Sequence, residues 1–120
     1  MKKLFTGFLF LNFLLEIVAG AVLIGATLGL LSVAQLETGM WSMIYGFAAL
    51  AVATAIFWIW PHRDSRAAVG AVLGILFSFH AFISIAFVIE GNQVPTAIAH
   101  GVMAAYAMYL YMQRPKWCAE

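Results

Sequence analysis

Charge is scarce in this chain. Asp, Glu, Lys and Arg make up 9% of its residues, against roughly 25% in a soluble domain. Cysteine is scarcer still. Cys118 stands alone, which excludes an intrachain disulfide and argues against a thiol metal site. The net charge of +1 gives no electrostatic footprint for nucleic acid. No Gly-rich phosphate loop, Cys/His metal spacing or nucleophile elbow occurs. Nothing here asks for a cofactor or a metal, and the balance leans away from an enzyme. What is abundant is hydrocarbon, since 65% of the residues are hydrophobic.

The apolar residues fall into four segments, about Leu4–Val33, Trp41–Trp60, Ala67–Ile89 and Thr96–Met112. Each is near the roughly 20 residues that a helix needs to cross a bilayer. "AQLETGM", "PHRDSR" and "EGNQVP" connect them. Pro61 is expected to stop the second helix, Gly91-Asn92 to turn the chain, and Pro95 to start the fourth helix. Loops this short make consecutive helices antiparallel neighbours. The fold class is therefore all-α: a single-domain, left-handed, up-down four-helix bundle in the membrane.

Direction follows from the basic residues. Lys2, Lys3, Arg63, Arg66, Arg114 and Lys116 all fall on one side, and the two opposite loops hold Glu37 and Glu90 without a Lys or Arg. By the positive-inside rule both termini lie in the cytoplasm, in a multi-pass protein of the inner (plasma) membrane. Trp58, Trp60, Trp117, Tyr109 and Tyr111 then form an inner aromatic belt, and Trp41 marks the outer interface. The opening "MKK" and the later "VAGA" also fit a secretory leader. Glu16 interrupts that apolar run, which continues to Leu31, so the segment is read as a retained span.

A carboxylate in "FLFLNFLLEIVAGAVLIG" needs a reason. A charge at mid-bilayer costs about 2.5–3.5 kcal/mol on insertion scales, so such a residue faces the interior, finds a partner or is protonated. Asn12, Glu16 and Gly20 are spaced i, i+4, i+8 and share one helix face. Gly25 and Gly29 form a GxxxG pair on the other side, expected to be a close-packing face. At about 1.5 Å per residue, Glu16 lies about 18 Å from the cytoplasmic end and His80 about 20 Å. The two are expected to meet, or to hold a ligand between them. The candidate ligand or proton site is Glu16, His80, Asn12 and Ser84, with a small apolar or cationic ligand. The structural alternatives are a carboxyl that staples the bundle, and a His80 bonded to Ser84 or a backbone carbonyl.

Glu90 and His100 are expected as an outer polar pair, direct or bridged by water. Two histidines on different helices could ligate haem. Counted from the span ends, however, His80 and His100 differ in height by roughly 7 Å, which argues against it. The small residues Gly70, Gly74 and Ser78, and Ala97, Gly101 and Ala105, are read as close-packing stripes within the chain, with a homo-oligomer seam as the alternative.

"LLEIVAG" in the first span, "FSFH" in the third and "AHGV" opening the fourth resemble the DoxX-like group of small four-span bacterial membrane proteins. That resemblance implies a four-helix membrane bundle and little about activity. "LLEIVAG" is also similar to the first helix of the small multidrug resistance transporters, where a carboxylate carries protons and cationic drugs. Those transporters lack a loop like "PHRDSR", a clear charge bias and a third-helix histidine. Four-span glutathione-transferase-like enzymes use intramembrane arginines, which this chain lacks. The expected function is non-enzymatic: binding of a small ligand, a partner membrane subunit or a second copy through a polar interior. The alternative is proton-coupled transport of a small cationic or apolar solute by Glu16.

Overall fold

The computed structural model describes residues 1–33, 36, 38–91 and 93–119. Glu37 and Asn92, both assigned above to outer loops, lie outside the described residues, as do Ala34, Gln35 and Glu120. The helices are α1 (Lys2–Thr27), α2 (Met40–Ala53), α3 (Ala55–Ile59), α4 (Arg66–Glu90) and α5 (Val94–Gln113), with 3-10 turns at Trp60–His62 and Arg114–Lys116. Among the described residues there is no strand, only a parallel bridge between Ser65 and Ala119. With α2, α3 and the first 3-10 turn taken as one segment, there are four helices. Three of them, Lys2–Thr27, Met40–His62 and Arg66–Glu90, are long and apolar enough to cross a membrane. The fourth, α5, has the length at 20 residues but carries His100, Thr96 and Gln113 and is not one of the three.

Helix ends follow local chemistry. α1 stops at Thr27, short of the expected Val33, because Gly29 adopts φ 72°. There the chain turns back, with the Leu30 N–H on the Gly25 carbonyl at 2.8 Å, a left-handed C-terminal cap. α4 begins where the Ser65 hydroxyl accepts from the Ala68 N–H and ends at Gly91 with φ 78°. The second segment breaks earlier than Pro61. The Thr54 hydroxyl donates to the Ala51 carbonyl at 2.7 Å and accepts from Trp58 Nε1 at 3.1 Å. The Thr54 N–H is shared between the Leu50 and Ala51 carbonyls. Thr54 thus tightens the turn locally, and Pro61 stands in the first positions of the short 3-10 turn that follows α3.

The chain divides into two compact units, one of Leu9–Trp58 and one of Met1–Phe8 with Ile59–Glu120. Within the first, α1 and α2 run antiparallel and meet at two glycines. A Cβ on Gly20 would lie 2.8 Å from the Gly46 carbonyl oxygen, and one on Gly46 would lie 2.7 Å from Ile24 Cγ1. Phe13 and Phe57 pack edge to face at 5.7 Å. The close-packing face of α1 is therefore the face of Asn12, Glu16 and Gly20. The expected GxxxG face does not form, because Gly29 is past the helix end and Gly25 is covered by Leu31 of its own turn.

In the second unit α4 and α5 form an antiparallel hairpin. The Ser84 hydroxyl donates to the Ala97 carbonyl at 2.8 Å, and Gly101 sits against the Ser84 oxygen. The small-residue stripes hold only in part. Gly74 faces open space, Ala105 is exposed, and Ala104 and Ala107 are buried in its place. At the other end of the hairpin the C-terminal segment returns to the α4 N-terminus. The Arg66 N–H donates to the Ala119 carbonyl, and the Ala119 N–H to the Asp64 carbonyl. Phe5 lies 5.2 Å from Trp117 and Phe8 5.2 Å from Tyr106, whose hydroxyl donates to the Leu4 carbonyl. Lys2 Nζ reaches Asp64 Oδ1 at 2.5 Å. The Lys2 hydrogen bond holds the Asp64 carboxyl below the usual carboxylate range, so the pair persists through that range and is lost only as the pH falls below it.

Candidate functional site

Among the described residues, four polar side chains are almost completely withdrawn from the surface: Asn12, Glu16 and His80 at 0% exposure and His100 at 3%. Asn12 and Glu16 belong to the Leu9–Trp58 unit, His80 and His100 to the other.

The first group lies along α1. The 3.6-residue repeat puts Asn12, Glu16 and Gly20 on one stripe, and all three are buried. Asn12 Nδ2 donates to the Val52 carbonyl at 3.4 Å. That carbonyl sits two residues before the Thr54 break, where the regular helical hydrogen bonds give way. Asn12 therefore serves a backbone group at a helix irregularity, a use of polar side chains expected inside a membrane. Glu16, one turn further on, lies near Tyr45 of α2. The sequence reading missed Tyr45. Its one signal there is adjacency to Gly46, the small residue at the α1–α2 contact. Thr27, near the same face, spends its hydroxyl on the Leu23 carbonyl of its own helix at 2.8 Å.

The second group is a histidine pair. His80 Nδ1 and His100 Nδ1 are 2.8 Å apart, with ring centroids at 5.1 Å. Phe79 stands edge-on to both rings, and Phe87 lies 6.2 Å from His100. The expected height difference of roughly 7 Å does not exist. Span ends are the wrong reference, because the register of the hairpin sets the level. Ser84 pairs with Ala97, and one turn along each helix from that pair reaches His80 and His100. The same register corrects two further expectations. Ser84 bonds the Ala97 carbonyl and not His80. Glu90 ends α4 exposed, ten residues or about 15 Å along the helix from the level of His100, so the two do not form an outer pair.

At 2.8 Å the two nitrogens are at hydrogen-bond distance. Two ligands on one tetrahedral ion, each about 2.0–2.1 Å from it, would sit above 3 Å apart. In the hydrogen bond one ring donates and the other accepts, and which does so depends on the tautomers. A doubly protonated pair would have no acceptor at this contact. The arrangement can hold, share or pass one proton.

An apolar cleft of about 310 Å³ opens on the hairpin one turn further out. Ser84, Phe87, Val94, Ala97 and Gly101 line it, with Gly91 at its rim. Comparison of the chain with protein-family models, with curated proteins and with solved structures gives no match.

Proposed function

We propose that this chain is a multi-pass protein of the bacterial inner membrane, with four spans and both termini in the cytoplasm. It is non-enzymatic and binds a small ligand or a partner membrane subunit through its buried polar side chains. The observation that carries the reading is the burial of Asn12, Glu16, His80 and His100 in a chain whose outward residues are apolar. Phe82 is 70% exposed, Val88 68% and Ile89 81%, a surface suited to lipid and not to water. Ionisable groups inside membrane helices are costly, and they mark ligand or ion sites by default. The DoxX-like reading stays with this proposal and rests on the three short motifs quoted above.

Extracted from its own membranes in a mild detergent, the wild-type chain is expected to carry a bound small molecule or subunit that Glu16→Gln loses while staying folded. Orientation is checked separately. A reporter fused after Cys118 is expected to be active only when the reporter is one that works in the cytoplasm. Activity of a periplasm-dependent reporter there would reverse the orientation.

A second reading, proton-coupled transport of a small cationic or apolar solute, is favoured by the hydrogen bond between two titratable rings at His80 and His100. Solute movement accompanied by proton movement in reconstituted vesicles separates it from simple binding.

A further inference from the structure

The end of the second unit that carries Asp64 is strongly basic. All six cationic side chains of the sequence lie in this unit, against one described acid in its loop, Asp64. Asp64 is already bonded to Lys2. The Arg66 N–H donates to the Ala119 carbonyl, the Cys118 N–H to the Arg114 carbonyl, and the Ala119 N–H to Asp64, which holds Lys2, so Lys2, Arg66 and Arg114 converge on the C-terminal segment. Arg114 is held in place there. Its guanidinium stacks 3.5 Å over the Tyr111 ring, one terminal nitrogen donates to the Tyr111 carbonyl at 2.6 Å, and its Nε lies where a Cβ on Gly70 would come within 3.0 Å. Arg114 Nε and Trp117 Nε1 are buried donors in this region with no acceptor among the described residues. A buried donor left without an acceptor is costly, and in a basic setting both donors suit an anion with several oxygens.

We propose that Arg114 and Trp117, with Arg66 at the same end of the unit, bind the phosphate of an anionic phospholipid headgroup. A guanidinium matches phosphate geometry through its planar set of donors. Indole N–H groups are placed at headgroup level in membrane proteins, and Trp117 is fixed there by its contact with Phe5. The inference rests on the membrane reading above and is independent of what the buried interior binds.

Native mass spectrometry of the detergent-purified chain, titrated with phosphatidylglycerol or phosphatidylcholine, tests it. Phosphatidylglycerol is expected to bind saturably and about tenfold more tightly, the size of effect given by one or two charge-assisted hydrogen bonds. Arg114→Gln should abolish the preference. Trp117→Phe keeps the ring contact with Phe5, removes the N–H and should weaken phosphatidylglycerol binding about threefold, within the range of one hydrogen bond. Lys3→Gln removes a charge from the same end and should change little. Equal losses in Lys3→Gln and Arg114→Gln would reduce the effect to general surface charge and overturn the site. Displacement of the lipid by millimolar inorganic phosphate would overturn the assignment to a lipid. If Arg114→Gln fails to fold, Trp117→Phe decides, since it preserves the packing. A chain released from membranes by alkaline carbonate would refute the membrane reading itself. A membrane-retained chain with no preference between the two lipids refutes this site alone.

Discussion

Gly20→Ala is expected to destabilise the chain by about 1–3 kcal/mol, the usual range for overpacking, and Gly20→Leu to prevent it from accumulating. Alanine is the better helix former by about 0.5–1 kcal/mol, so the sign depends on what the new methyl meets. It meets Leu50 at 2.7 Å and the Gly46 carbonyl oxygen at 2.8 Å. The leucine can move. The carbonyl is part of α2 and can yield only if the helix shifts as a body. Inside a membrane, helix association depends on such close van der Waals contact, because lipid tails are as apolar as the side chains. Gly74→Ala is the control: nothing lies within 4 Å of its Cβ position, so propensity alone acts and the variant should be as stable as wild type or slightly more so. Thermal unfolding in detergent compares the two. Equal stabilisation of both variants would remove the α1–α2 contact from the account.

The histidine pair should show the second large effect. His100→Leu keeps an apolar body of similar size and removes the partner that His80 Nδ1 has in the structure. Removing one member of a buried hydrogen bond costs about 1–3 kcal/mol. The interaction itself is smaller, since coupling energies between membrane helices average about 0.6 kcal/mol and reach about 1.7. His80→Leu and His100→Leu are each expected to lower stability by more than half of the double variant's loss. The sum of the single losses should exceed the double loss by about 1 kcal/mol, a sign of direct contact. Strictly additive losses would mean that the rings are buried separately and do not pair.

The helices were legible in the sequence from the length of its apolar runs, and the α1 stripe from its spacing. Asn12, Glu16 and Gly20 share a face by spacing alone, and all three are buried. Register was not legible. Counting from span ends separated His80 from His100, because the ends of apolar runs do not mark where two helices stand level. The Ser84–Ala97 bond does that, and it depends on how the turn folds. Glycines were readable only as small residues. Whether one is a contact, a cap or idle depends on its neighbours and its φ: Gly20 is a contact, Gly29 a cap at φ 72°, and Gly74 faces open space. The break at Thr54 was hidden for a similar reason. A hydroxyl that donates back to its own helix looks like any threonine in the sequence, whereas Pro61 announces itself.

The burial of Glu16 is the centre of the functional account, and native mass spectrometry of wild type against Glu16→Gln tests it most directly. Glutamine keeps the shape and hydrogen-bonding capacity of the side chain and removes its charge and titration. Both proteins would be prepared from the same native membranes in the same mild detergent, with helical content checked by circular dichroism. The account predicts that wild type carries an added mass beyond phospholipid, a small molecule or a subunit, and that folded Glu16→Gln has lost it. Identical spectra for the two proteins, with the chain alone and lipid as the only additions, would contradict the account and leave Glu16 a structural carboxyl.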